Sequence, residues 1–181
     1  METMIRTLAP ALALVVVAVA SAAGATVDEL AGGLNLVPLH GASPPALALE
    51  RLADGKTVAL PALQGRPVLI YFWATWCPYC SRELPSTIEQ VHREFGPRGL
   101  VVLAVNMEES RETVRAWVRD RKLTMDVLLD ISGAVNEAWG VAYSPVVFVV
   151  GRDGRLVARA IGTRDWTAPE GRAFLEALMA R

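Results

Sequence analysis

The chain has few cysteines, few histidines and almost no excess of either charge. Two of its 181 residues are cysteines, two are histidines, and 18 basic and 19 acidic side chains give a net charge of -1. That balance provides no basic field for nucleic acid and no polybasic patch for a membrane. The two cysteines, Cys77 and Cys80, lie close together, and a disulfide that closes so short a loop constrains the unfolded chain little. A disulfide scaffold is therefore excluded, and the cysteine pair is expected to have a chemical role. Proteins or small molecules are the expected partners.

The N-terminus resembles a secretory signal. Arg6 precedes an apolar stretch from Leu8 to Ala20, and small residues continue to Ala25. Both Ala20-Ser21-Ala22 and Ala23-Gly24-Ala25 have the small-x-small form of a cleavage site, so residues 1–25 are predicted to be a signal peptide with its cleavage point left open. The alternative is an uncleaved membrane anchor, although the apolar stretch is shorter than the about 20 residues that a span needs. Either interpretation predicts an exported protein, in the periplasm or another extracytoplasmic compartment.

The rest of the chain has the length of one domain. Residues 26–45 contain Gly, Ala and Pro without a period, which predicts a loosely ordered lead-in. Residues 46–181 are long enough for a single core. They begin with two short apolar runs between Leu47 and Leu60 that flank Asp54-Gly55, a pattern typical of a β-hairpin.

Strand and helix patterns alternate after this hairpin. Val68–Trp73 has no polar alternation, as expected for a strand covered on both faces, and Pro85 is expected to kink the helix that follows. The alternation predicts an α/β fold with a mixed central sheet flanked by helices on both faces. Strands are predicted at 68–73, 100–105, 127–130, 146–150 and 156–160, and helices at 77–95, from 110, at 134–139 and from 167.

The Cys77-Pro78-Tyr79-Cys80 segment lies where the strand at 68–73 leads into a helix. A Cys-x-x-Cys in that position is typical of a thioredoxin-like redox site. Unpaired N–H groups and the positive end of the helix dipole favour a thiolate at Cys77, which is therefore the predicted nucleophile. Cys80, nearly one turn into the helix, is the predicted resolving thiol. A structural zinc site would need two more ligands, so no metal and no cofactor beyond the Cys77–Cys80 disulfide are expected.

Several motifs together resemble the TlpA/ResA-like thiol-disulfide oxidoreductases, and they occur in that family's order. The resemblance runs from about Pro45 to the C-terminus and implies an exported, thioredoxin-folded domain. It also implies a β-hairpin before the core and a central α/β insert, which Leu47 to Leu60 and Asn106 to Trp139 can supply. The motifs are 72–85 (Phe-Trp-Ala-Thr-Trp-Cys-Pro-Tyr-Cys-Ser-Arg-Glu-Leu-Pro), 105–110 (Val-Asn-Met-Glu-Glu-Ser), 139–141 (Trp-Gly-Val) and 144–154 (Ser-Pro-Val-Val-Phe-Val-Val-Gly-Arg-Asp-Gly).

The resemblance implies a role for Glu83, which lies three residues after Cys80 and so on the same helix face. In the family a carboxylate at the matching position accepts a proton from the resolving thiol. The alternative for Glu83 is a solvated first-turn residue that the helix dipole stabilises by about 0.3–1 kcal/mol.

The resemblance also implies substrate-binding residues. Pro145 is expected to be a cis-proline opposite the cysteines, with the backbone of Ser144 free to pair with a substrate strand. Trp76 either contacts a partner or packs in the core, and Pro78 and Tyr79 lie between the cysteines. Many relatives have proline where this chain has Tyr79, so that position is expected to tune the redox potential.

The leading hypothesis is an exported, monomeric thiol-disulfide oxidoreductase. It would reduce disulfides in protein substrates, for haem attachment to cytochrome c or copper-site assembly, and would be recycled by a membrane redox partner. The alternatives are a DsbA-like oxidant and a Sco-like copper chaperone. The copper chaperones carry Cys-x-x-x-Cys and a distant histidine ligand, whereas this chain has Cys-x-x-Cys and no well-placed histidine; binding of Cu(I) by the two thiolates alone stays open. Glutaredoxin activity conflicts with export, and a peroxiredoxin needs two residues between its threonine and cysteine, whereas Thr75 and Cys77 have one between them.

Overall fold

The computed structural model describes residues 26–181, in which eight strands form one mixed sheet. The predicted signal segment, residues 1–25, lies outside the described residues. The strand order is β1-β8-β7-β4-β5-β6-β2-β3. The strands are β1 Val37–Ala42, β2 Ala48–Arg51, β3 Thr57–Ala59, β4 Val68–Trp73, β5 Val101–Met107, β6 Asp126–Asp130, β7 Val146–Val150 and β8 Leu156–Ile161; the α-helices are α1 Val27–Gly33, α2 Pro78–Glu83, α3 Glu89–Phe95, α4 Arg111–Asp120, α5 Ala134–Ala138 and α6 Pro169–Ala180.

Strand β4 lies at the centre of this sheet and is buried along its whole length. It runs parallel to β5 and antiparallel to β7. Its side chains alternate between two apolar cores, with Tyr71 and Trp73 in one and Ile70 and Phe72 in the other. The sequence predicted this two-sided burial from the absence of polar alternation, and the mixed α/β fold is confirmed.

The helix predicted over 77–95 consists of three segments. Helix α2 is followed by a π-helical turn, Leu84–Ile88, and then by α3. Pro85 lies in the π-helical turn, where its missing N–H deprives an upstream carbonyl of its donor. The proline therefore produces a wider turn, while the predicted apolar stripe stays buried along the whole run, at Leu84, Ile88, Val91 and Phe95.

The prediction of a loosely ordered lead-in at 26–45 is wrong. Thr26 caps α1 in a capping box with Glu29, and Val27 and Ala31 on the other face are buried. Strand β1 then pairs antiparallel with β8 and forms one edge of the sheet. Both elements are too short for their residue pattern to predict them. They are stable because they pack on the core, and a local pattern does not show that packing.

The two additions expected around the core are present. Strands β2 and β3 form the predicted antiparallel hairpin, and β2 also pairs with β6. Helix α4, β6 and α5 lie between β5 and β7, and Ser110 caps α4 as predicted. Within residues 26–181 no helix is both long and apolar enough to cross a membrane.

Candidate active site

Cys77 and Cys80 form a disulfide at the start of α2. Cys77 is the N-cap residue, and the backbone N–H of Cys80 donates to its Sγ at 3.1 Å. Both sulfurs are shielded, with Cys77 2% exposed and Cys80 completely buried. An N–H donor aimed at Cys77 Sγ is a contact that would stabilise negative charge on this sulfur.

Ser144 and Pro145 lie against this disulfide because of the strand pairing. Strand β4 ends just before Cys77, β7 begins just after Pro145, and the antiparallel register places Phe72 opposite Val146. The Ser144–Pro145 peptide bond is cis, and Pro145 is buried. The carbonyl oxygen of Ser144 lies 3.5 Å from Cys77 Sγ. The sheet thus brings together residues that are far apart in the chain.

Three exposed aromatic side chains occur near the shielded disulfide. Trp76 is 70% exposed and Tyr79 is 55% exposed, and the guanidinium of Arg82 lies 5.2 Å from the centre of the Tyr79 ring. Exposure of Trp76 rules out the alternative that it packs in the core. Tyr143, directly before Ser144, is 75% exposed. Sequence reasoning missed Tyr143, although its position beside Ser144-Pro145 was a usable signal.

Glu83 is buried, with 5% of its surface exposed, so it is not a solvated first-turn residue. The hydroxyl of Tyr71 donates to its Oε2 at 2.9 Å, and the backbone N–H of Arg164 donates to its Oε1 at 2.8 Å. Burial raises the pKa of this carboxyl above its ordinary value of 4.5, although both hydrogen bonds and the charge of Arg164 oppose the change. Burial also raises the pKa of Tyr71, with a smaller contribution from Glu83, so the hydroxyl remains a donor.

The raised pKa of Glu83 predicts how stability depends on pH. The folded protein binds a proton at Glu83 more tightly than the unfolded chain does. This contribution to stability is therefore complete below pH 4.5 and is lost as pH rises through the folded pKa. Glu83→Gln removes the titration, so its free energy of unfolding, measured by urea titration between about pH 4 and about pH 8, should decline less with rising pH than that of the unmodified protein.

Glu89 provides a matched control, because its pKa is shifted in the opposite direction to that of Glu83. It is also buried, but hydrogen bonds from Thr124 and the ion pair with Arg93 outweigh the effect of burial and lower its pKa. Its contribution is present above pH 4.5 and lost as pH falls. Glu89→Gln should therefore remove stability at neutral pH, and parallel pH curves for all three proteins would contradict both assignments.

Glu109 holds the loop that precedes Cys77. Its Oε2 accepts hydrogen bonds from the backbone N–H of Thr75 and from the Asn106 side chain, each at 2.7 Å, and its Oε1 accepts the Thr75 hydroxyl. These contacts connect the end of β5 to the residues between β4 and Cys77. Sequence reasoning assigned no role to Glu109, although it lies inside one of the motifs that carried the resemblance.

No group of three or more His, Cys, Asp and Glu side chains with the geometry of a metal site occurs in the described part of the chain. The chemistry that this arrangement supports is thiol-disulfide exchange. The sulfur pair lies at the start of α2, the Ser144 carbonyl lies beside it, and the buried Glu83 carboxylate is on the same helix face.

The chain is similar to known proteins over most of its length. Residues 41–159 match the model of the AhpC/TSA family. The thiol-disulfide oxidoreductase ResA of Bacillus subtilis is 32% identical over 124 residues, which is 68% of each chain. The sporulation thiol-disulfide oxidoreductase A of the same organism is 26% identical over 131 residues, 68% of this chain and 79% of the relative. A thiol:disulfide interchange protein of the DsbE type from Chlorobium tepidum superposes with a TM-score of 0.69 at 24% identity, covering 77% of this chain and 96% of that one, and shows the shared fold.

Proposed function

Since the chain belongs to the AhpC/TSA family and is a ResA-like thiol-disulfide oxidoreductase, we propose that it is exported and reduces disulfides in protein substrates through Cys77 and Cys80. The observation that supports this most directly is the position of the disulfide beside the Ser144 carbonyl. A substrate strand that pairs with the backbone at Ser144 would present its own disulfide to Cys77. Exposed Trp76, Tyr79 and Tyr143 suit contact with a protein surface, because aromatic side chains are enriched in interfaces.

The proposed reaction has two exchange steps. The Cys77 thiolate attacks one sulfur of the substrate disulfide, a Cys77–substrate disulfide forms, and the other substrate sulfur leaves as a thiolate that takes up a proton. Glu83 then accepts the Cys80 proton, and the Cys80 thiolate attacks Cys77. The second substrate thiolate leaves and is protonated. Two electrons have passed to the substrate, and the protein is left with the Cys77–Cys80 disulfide.

The remaining parts of the proposal concern location and partners. The signal-like residues 1–25 support export or anchoring, and residues 26–181 form one body on one sheet. The oxidised pair needs a dithiol donor to complete the cycle, and a membrane redox partner would supply it outside the cytoplasm. Cytochrome c maturation and copper-site assembly are the tasks that need a reductant there, and a monomer suffices for them.

The equilibrium reduction potential tests the direction of electron flow. The pair is expected to be reducing, nearer the about -270 mV of thioredoxin than the about -120 mV of DsbA. It can be measured by equilibrating the protein with thioredoxin of known oxidation state and alkylating the free thiols. Tyr79→Pro, which restores the residue common in relatives, is the comparison that shows how far this position tunes the potential. A value near that of DsbA would contradict the reductant proposal and favour an oxidant.

A further inference from the structure

The loop that follows β8 is fastened to the N-terminal part of the chain by one side chain. The Arg164 guanidinium donates to the carbonyl of Leu34 at 2.8 Å and to that of Asn35 at 3.0 Å. It also donates within its own loop, to the carbonyls of Ile161 at 3.2 Å and Thr163 at 2.7 Å. Four carbonyls therefore surround one planar cation, an arrangement that the fixed fork of arginine suits and the point charge of lysine does not.

The same loop carries a backbone N–H that donates a hydrogen bond to the Glu83 carboxylate. The Arg164 N–H that donates to Glu83 Oε1 belongs to the residue whose side chain is held by Leu34 and Asn35. The loop begins at Gly162, whose N–H donates to the Pro145 carbonyl at 2.9 Å. It therefore contacts both the substrate-facing turn and the buried carboxylate.

Packing against α6 anchors the far end of the loop. Trp166 is fully buried, and a Cβ at Gly171 of α6 would lie 2.6 Å from the Asp165 carbonyl oxygen. No such packing holds Thr163, which is exposed. The position of the Arg164 N–H thus rests both on its own side chain and on Trp166, whose N–H donates to the Arg164 carbonyl at 3.1 Å.

The ionisable groups that face Glu83 come from three directions. Tyr71 approaches from β4, and Arg164 and Asp165 approach from the loop. Cys80, which can ionise only after the disulfide is reduced, lies three residues earlier on α2. A surface pocket of about 370 Å³ lies where this loop meets α2, and its lining includes Arg82, Glu83, Thr163 and Arg164. Solvent thus has a route towards Glu83 that does not pass Cys77, and the loop forms one of its walls.

We infer that Arg164 is a positioning residue for Glu83, and that residues 34–35 act through it to set the protonation behaviour of the active site. This rests on the proposed role of Glu83 as proton acceptor. The cation holds the loop so that its N–H stays within hydrogen-bond distance of the carboxylate, which stabilises the charged form. The segment before the sheet core is thereby coupled to the redox site.

The test compares Arg164→Ala and Arg164→Lys in the full chain. The measurements are the carboxyl titration of Glu83 by NMR and the pH profile of substrate reduction. Loss of a hydrogen bond to a charged group should shift the Arg164→Ala titration upward by about one pH unit. Arg164→Lys keeps the positive charge but not the planar guanidinium that binds several carbonyls at once. The Glu83 titration of this variant should therefore shift upward nearly as far. Asp165→Asn removes a carboxylate that raises the pKa of Glu83, while its side-chain oxygen can still accept from Thr167, and should shift the titration downward.

Three outcomes would overturn the inference. One is an Arg164→Lys variant that titrates like the unmodified protein, because charge alone would then account for the effect. Another is that both Arg164 variants melt at lower temperature but leave the Glu83 titration unchanged, which would show that Arg164 only stabilises the fold. The third is an upward shift of the pH profile by Arg164→Ala that persists in a Glu83→Gln background. Failure of Glu83→Gln itself to alter the profile would instead refute the proton-acceptor role, and the NMR titration would still report on Arg164.

Discussion

Replacement of Cys80 by serine is expected to stop the reaction at a covalent complex between Cys77 and its substrate. Cys77 caps α2, receives the N–H of Cys80 and lies beside Ser144, so it keeps every contact that favours attack. Without the second thiol no internal group can displace the substrate. Turnover should fall to the rate of uncatalysed exchange. Purification of the full chain from its native compartment, followed by non-reducing electrophoresis and mass spectrometry, would detect the adduct and identify the substrate.

Cys77→Ser is the matched control for this trap. It should be equally inactive but should form no adduct, because Cys80 is completely buried behind Cys77. Adducts that form only with Cys77→Ser would reverse the roles of the two sulfurs. Adducts with neither variant would contradict a covalent exchange with protein substrates.

Glu83→Gln is expected to slow turnover at neutral pH by about 10²-fold, the lower range for loss of a general base. A carboxylate must be ionised to accept the Cys80 proton, so the rate of the unmodified protein should rise with pH through the raised pKa of Glu83. Glutamine fits the same buried space and can still accept one hydrogen bond from Tyr71 or Arg164, but it takes up no proton. The rate of the variant should therefore no longer rise with pH in this range. Stopped-flow reduction of a model disulfide from about pH 4 to about pH 9 would measure this rising limb of the pH–rate profile.

Tyr71→Phe distinguishes loss of the base from a change in its surroundings. It removes one donor to Glu83 Oε2 and leaves the carboxylate in place. The charged form of Glu83 should become less stable, so the rising limb should move to higher pH without disappearing. An identical profile for all three proteins would show that Cys80 loses its proton to another group.

The central strand and the N-terminal edge of the sheet show why some elements can be predicted from a sequence and others cannot. Strand β4 has six consecutive buried residues, and the Cys-x-x-Cys segment follows it directly, so pattern and motif reinforce each other over a short stretch. Helix α1 has seven residues and β1 pairs through a bulge. Such short elements are stable only where they pack, and their local pattern resembles that of a loop.

The same distinction applies within the site. The spacing of Cys80 and Glu83 places them on one helix face whatever the rest of the chain does. Burial of Glu83 depends on Tyr71 from β4 and on Arg164 from the loop after β8. Glu109 illustrates the same limit, since its contacts with Thr75 exist only because β4 and β5 are neighbours.

The sequence alone determined the redox pair and the order of strands and helices from β2 onward, because each follows from local spacing and burial pattern. The thioredoxin-like class followed from the resemblance of several motifs to a known family. Tertiary structure alone decided which groups surround that pair. The pairing of β4 with β7 brings Ser144 to Cys77, and the loop after β8 brings the Arg164 N–H to Glu83. The physical reason is that a carboxyl's pKa and a sulfur's accessibility depend on every atom within a few ångströms, and those atoms come from segments that no local pattern connects.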